Sequence, residues 1–213
     1  MKTFIITTSI LFFFSKMIFA QNYRPATPKE QEELIKNISA ASEQLKTLRA
    51  DFVQRKTISI LADELLMEGK LSFKQPDKLC WEYLKPYQYR FTINGSKVMV
   101  RSETNQNVID ANGNKMLNEI SKIIISGING SGIFDEKKFT TKFSVGAGDY
   151  QVELTPKQKE LRQMFSSITI TFNKNDYSVN TVEIKEVNGD SSLITMKNKQ
   201  FNINLNDEIF AVR

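Results

Sequence analysis

Two periods of apolar and polar positions divide the chain. Between Pro28 and Leu48 apolar residues recur at Leu34, Ile38, Ala41, Leu45 and Leu48, and from about Ala50 they alternate one for one with polar residues. The first spacing, of four, three, four and three residues, lays one apolar stripe along about six turns of helix. Thr27-Pro28-Lys29-Glu30 marks its start: threonine can accept from the backbone, glutamate can reach back to it, and proline suits the first helical position. Such a stripe is expected to pack on a sheet.

The second period predicts that sheet. Phe52-Val53-Gln54 opens a first strand, and Met67, Gly69, Leu71 and Phe73 alternate with Glu68, Lys70 and Ser72 in the next. Gln75-Pro76-Asp77 turns the chain into Leu79, Trp81 and Tyr83, Lys85-Pro86 turns it again into Tyr89, Phe91 and Ile93, and Asn94-Gly95 makes a tight hairpin into Lys97-Val98-Met99-Val100. The pattern is an antiparallel meander with one polar and one apolar face.

Helical spacing returns at Leu117, Ile120, Ile123 and Ile124, where a short helix from Lys115 to Ser126 would end at Gly127. Strand patterns resume over Phe139–Val145, Tyr150–Leu154, Ser167–Phe172, Ser178–Val187, Leu193–Met196 and Phe201–Leu205, and Ile209–Val212 reads as a last edge. The expectation is a mainly β, α+β chain of ten to eleven strands with two or three helices.

Composition changes this picture mainly at the N-terminus. Lys2, the apolar run Phe4–Phe14 and Ile18-Phe19-Ala20 read as a secretory signal peptide over residues 1–20, too short to span a bilayer. Residues 21–213 then form one exported domain. Gln21, not cysteine, would follow the cleavage site, so no lipid anchor is expected. The signal segment removes Lys2 and Lys16 and no acid, turning 29 basic groups into 27 against 24 acidic ones and the net charge from +5 to +3. That excess is too small to imply nucleic acid. A single cysteine, Cys80, permits no internal disulfide, and the fold must rest on packing.

Catalytic constellations are sparse. The chain has no histidine, which removes imidazole base catalysis and the usual zinc sites. Asp110-Ala111-Asn112-Gly113-Asn114 opens like a calcium loop, but its glycine is misplaced and Ser121 stands where a bidentate glutamate belongs, so it reads as a hairpin turn. Gly127, Gly130 and Gly132 lack the lysine-serine pair of a phosphate loop. Glu64, Glu68 and Glu82 could furnish a paired carboxylate for glycan hydrolysis, although acids on a wet strand face are the ordinary case. No metal or cofactor is expected, and binding is the better-supported role.

The apolar strand face, with Leu79, Trp81, Tyr83, Tyr89, Phe91, Ile93, Val98 and Val100, forms one surface across neighbouring strands. Period alone favours a packed core there over a ligand hollow, which would need a curved sheet left underfilled.

The ordered set Phe52-Val53-Gln54, Gly69-Lys70-Leu71-Ser72-Phe73-Lys74-Gln75-Pro76, Trp81-Glu82-Tyr83 with Pro86, and Asn94-Gly95 resembles the outer-membrane lipoprotein carrier family, LolA. Val152-Glu153-Leu154-Thr155-Pro156 and Ile168-Thr169-Ile170 extend the resemblance, which is weakest from about residue 101 to 145.

The resemblance implies a curved, incomplete antiparallel β-barrel lidded by helices. It implies a monomeric periplasmic carrier of acylated lipoproteins, loaded by an inner-membrane ABC transporter and emptied by an outer-membrane acceptor. Leu79, Trp81 and Phe91 match cavity-wall positions, with Leu45, Leu48 and Phe52 nearby. Leu71, Phe73, Tyr83, Tyr89, Ile93, Val98 and Ile120 complete the expected lining. The departure is Gln75, which stands before the turn proline where family members often place an arginine that bonds the lid. A lipid- or protein-binding sensor or adaptor of the same fold is the alternative.

Overall fold

The structure, a computed structural model, describes residues 23–213 apart from 62 and 131. The segment read as a signal peptide lies outside the described residues.

A two-residue strand, β1 (Arg24–Pro25), precedes helix α1 (Pro28–Gln44). The capping box forms as its sequence requires: the Thr27 amide donates to Glu30 Oε2 at 2.8 Å, and the Glu30 amide to Thr27 Oγ1 at 3.4 Å. Arg24 Nη1 adds a bond to the same carboxylate at 2.9 Å. The helix is shorter than its apolar stripe. Leu45 is the C-cap in extended backbone, and Leu48 belongs to β2 (Thr47–Ile58). The cause is distant in sequence. Asn202 Oδ1 accepts from the Lys46 amide at 2.7 Å and Asn202 Nδ2 donates to the Gln44 carbonyl at 3.1 Å, so a residue far along the chain satisfies the helix end and turns it into the strand.

The meander continues through β3 (Asp63–Lys74), β4 (Lys78–Lys85), β5 (Tyr89–Asn94), β6 (Lys97–Ser102) and β7 (Gln106–Asp110). Asp110–Asn114 does not make the expected hairpin: Ala111–Gly113 form a 3₁₀ turn, and Asn114 caps α2 (Lys115–Asn129) by accepting from the Leu117 amide at 3.0 Å. Nor does α2 stop at Gly127. The helical period runs on to Asn129, and Gly130 ends it at φ 77°, where an added Cβ would also lie 2.6 Å from Ile38 Cγ2 of α1.

After α2 come β8 (Phe139–Val145), β9 (Asp149–Pro156), a single turn α3 (Lys159–Arg162), β10 (Phe165–Asn173), β11 (Val179–Glu186) and β12 (Ser191–Phe201). The described residues thus form one antiparallel sheet of 12 strands in the order β1-β8-β9-β10-β11-β12-β2-β3-β4-β5-β6-β7. The β12–β2 pairing, with Ile194 opposite Gln54 and Met196 opposite Phe52, joins the two halves, while β1 and β7 remain unpaired with each other and leave the sheet open.

The expected last edge strand is replaced. Phe201 ends β12, and residues 207–210 form a 3₁₀ turn that buries Phe210 and Leu205 against Cys80 on the polar side of the sheet. A short continuous apolar run such as Ile209–Val212 does not separate a strand from a segment folded back over the sheet. Cys80 is buried beneath it, and desolvation there pushes its thiol pKa up.

On the apolar face two clusters form. One gathers Phe52, Leu71, Phe73, Leu79, Ile93 and Val98 from β2–β6. The other packs Leu34 and Ile38 of α1 on Val152, Ile170 and Phe172 of β9 and β10. Val182 and Ile184 of β11 touch both.

Candidate functional site: a hollow beneath helix α2

Between the two clusters the apolar face is not filled. A hollow of about 390 Å³ lies there, roofed by Leu117, Ile120, Ile123 and Ile124 of α2. Trp81, Tyr83, Tyr89 and Phe91 of β4 and β5 form one wall, and Leu154, Ile168, Ile170, Val182, Ile184 and Ile194 of β9–β12 form the other. Its walls are overwhelmingly apolar. Its volume falls within the range of about 300–1,000 Å³ usual for ligand pockets.

Gly69 shapes the β4 wall. It pairs with Phe52 on one side and Tyr83 on the other, and because it has no side chain the Phe52 ring lies across it. Phe52 then wedges against both neighbours, with centroids 5.1 Å from Trp81 and 5.1 Å from Tyr83 in tilted and edge-on contacts. The ring that fills the core is therefore Phe52, and the Trp81 and Tyr83 rings stand toward the hollow.

The expected lining divides accordingly. Trp81, Tyr83, Tyr89, Phe91 and Ile120 line the hollow. Phe52, Leu71, Phe73, Leu79, Ile93 and Val98 are each at most 1% exposed and pack beneath it instead. Leu45 and Leu48 border a separate pocket of about 170 Å³ beside Tyr177 and Ile128. The far wall is absent from the lining read in the sequence. Its strands are plain in the alternation, but only the β12–β2 pairing brings β9–β11 opposite β4 and β5.

One polar chain crosses the lining. The Tyr83 hydroxyl donates to Gln54 Oε1 at 2.8 Å and Gln54 Nε2 donates to Ser192 Oγ at 3.1 Å, so the glutamine of the Phe-x-Gln strand is satisfied on both sides. Burial, then the neighbouring Tyr89, pushes the Tyr83 phenol up to about 12, and the Trp81 indole beside it opposes the rise. The phenol stays protonated and bonded. At the rim, Lys138 Nζ lies 2.7 Å and Lys122 Nζ 3.6 Å from the Glu119 carboxylate, and both lysines line the hollow. The Lys138 hydrogen bond holds the Glu119 carboxyl below its usual range against the opposing cost of burial.

The three glutamates weighed for hydrolysis are each committed to a cation: Glu64 to Arg55 at 3.6 Å, Glu68 to Lys85 at 3.0 Å, and Glu82 to Arg90. Among the described residues no helix is long and apolar enough to cross a membrane.

The sequence matches the family model for the outer membrane lipoprotein carrier protein LolA over residues 43–213. The chain belongs to the LolA family. An outer-membrane lipoprotein carrier protein of Ralstonia nicotianae is 26% identical over 178 residues, 81% of this chain and 79% of that protein. Two solved structures share the fold at low identity. An uncharacterized conserved protein from Thermus thermophilus has TM-score 0.51 at 9% identity, covering 84% of this chain and 91% of that one. The MucA/MucB complex of Pseudomonas aeruginosa has TM-score 0.50 at 8% identity, covering 84% of this chain and 60% of the matched chain.

In this LolA-family chain Gln75 sits at the end of α1. Its Nε2 donates to the Ser42 carbonyl at 3.0 Å and its amide to the Lys46 carbonyl at 2.8 Å. Lys46 Nζ supplies the cation, donating to the Glu43 carbonyl at 3.1 Å and to Gln75 Oε1 at 3.4 Å. A positive charge at a helix C-terminus is favourable, and here it comes from the residue after the cap.

Proposed function

We propose that residues 21–213 act as a single periplasmic carrier domain that encloses the acyl chains of lipoproteins in the hollow beneath α2 and takes them from the inner to the outer membrane. The observation behind this reading is the unfilled, apolar space between two otherwise well-packed clusters. Burying acyl methylenes is worth about 0.8 kcal/mol each, which makes such a space attractive to a lipid anchor and leaves an unshielded anchor prone to return to a membrane. The membership in a lipoprotein carrier family and the Ralstonia relative agree with this cargo.

In this reading the chain performs no covalent chemistry and needs no cofactor. Its partners are acylated lipoproteins, an inner-membrane lipoprotein-releasing ABC transporter that loads it, and an outer-membrane acceptor that empties it. Native mass spectrometry of the purified exported protein tests the proposal. Adducts with the mass of acylated lipoprotein or lipid, lost on delipidation, are expected; a protein that stays free of acyl species even after incubation with diacylated lipoprotein would refute it.

A further inference from the structure

An apolar hollow alone would be indifferent to the charge of what it holds, but this one has a charged rim. Two of its lining residues are lysines, and both meet one carboxylate, Glu119. Lys138, which precedes β8, is pinned, with its side chain 24% exposed and its amine 2.7 Å from Glu119 Oε2. Lys122, one turn along α2 from Glu119, is looser, 60% exposed and 3.6 Å from Oε1. Two ammonium groups therefore share one carboxylate at the edge of the hollow. Among the described lining residues these are two cations against one adjoining carboxylate, and the Lys122 side chain, 60% exposed, is the more loosely held of the two.

We infer that the hollow also accepts anionic amphiphiles, the acid group lying between Lys122 and Lys138 in partial exchange for Glu119 while the hydrocarbon tail enters beneath α2. The inference rests on the proposed acyl site and adds a ligand class, a carboxylate or phosphate on an acyl tail, that a neutral thioether-linked lipid anchor would not require. Oxygen anions of either kind match an ammonium pair, since lysine acts as a point charge without a planar fork to discriminate between them. The geometry has a sign that a purely structural ion pair does not. Glu119 competes with the ligand anion, so its removal strengthens anion binding, whereas removal of a mere strut between α2 and the β8 entry loosens the hollow for every ligand.

Calorimetric titration of the exported protein with dodecanoate, dodecyl phosphate and methyl dodecanoate tests this. One or both anions should bind about two- to fivefold tighter than the neutral ester, the size of a partly exposed charge pair, and the arm that gains tells a free fatty acid from a phosphate headgroup. Lys122→Met should abolish that preference, and Glu119→Gln should enlarge it. Equal affinity for all three ligands, or a uniform loss across them in Glu119→Gln, would overturn the inference while leaving the acyl site standing. Binding of none would remove the acyl site itself.

Discussion

Gln75 donates through Nε2 to the Ser42 carbonyl across 3.0 Å and so ties the turn between β3 and β4 to the last turn of α1. Gln75→Ala should remove this bond while sparing the backbone bond to Lys46. The expected cost is about 1 kcal/mol, lowering Tm by about 2–4 °C. Gln75→Arg should gain little alone, because Lys46 Nζ already lies 3.4 Å from Oε1 and two cations would meet. In combination with Lys46→Gln the arginine should stabilise. Calorimetric Tm values of the three variants check the coupling.

Gly69 is required by space. A Cβ there would lie 2.1 Å from the Glu82 carbonyl oxygen and 2.5 Å from Phe52 Cζ. Gly69→Ala should therefore destabilise by about 3 kcal/mol or more, seen as a lower urea midpoint. Adding Phe52→Leu should recover only part of the loss, since the clash with backbone oxygen persists.

The two apolar residues Leu79 and Ile120 should respond differently to a charge. Leu79 is fully buried among Leu71, Phe73 and Ile93, so Leu79→Glu should abolish folding as judged by circular dichroism. Ile120 is only partly buried and faces the hollow. Ile120→Glu should keep the fold and weaken binding of a fluorescent acyl probe by about tenfold or more, about 1.4 kcal/mol.

This contrast also marks how far the sequence could be read. Alternation identified which side of each strand is apolar, and the capping box fixed where α1 begins. Neither could rank Leu79 against Trp81, because the ranking depends on Gly69 letting the Phe52 ring cross the strand. The end of α1 was equally hidden, since Asn202, remote in sequence, sets it. The C-terminal run Ile209–Val212 reads as a strand because four consecutive apolar residues do not tell sheet pairing from a turn that buries Phe210 beside Cys80. The resemblance, by contrast, pointed to the open sheet and to Leu79, Trp81 and Phe91 on a wall, where Trp81 and Phe91 line the hollow and Leu79 packs away from it; it implied a lid contact for position 75, and Gln75 meets the end of α1.

The rim should be sensitive to acid. Glu119 has a lowered carboxyl pKa, so it contributes stability that is fully present above the ordinary carboxylate range and is lost as pH falls through its folded value. Stability measured by urea unfolding should decline below about pH 4, and Glu119→Gln should show a shallower decline over the same window.

Site-specific photocrosslinking tests the central claim most directly. With p-benzoylphenylalanine at position 120, on the roof of the hollow, irradiation in the presence of a diacylated lipoprotein should crosslink its acyl chains, whereas the same group at position 193, an exposed site on β12 outside the lining, should not. Equal crosslinking at both positions, or acyl crosslinks at 193 alone, would contradict a carrier that holds its cargo beneath α2.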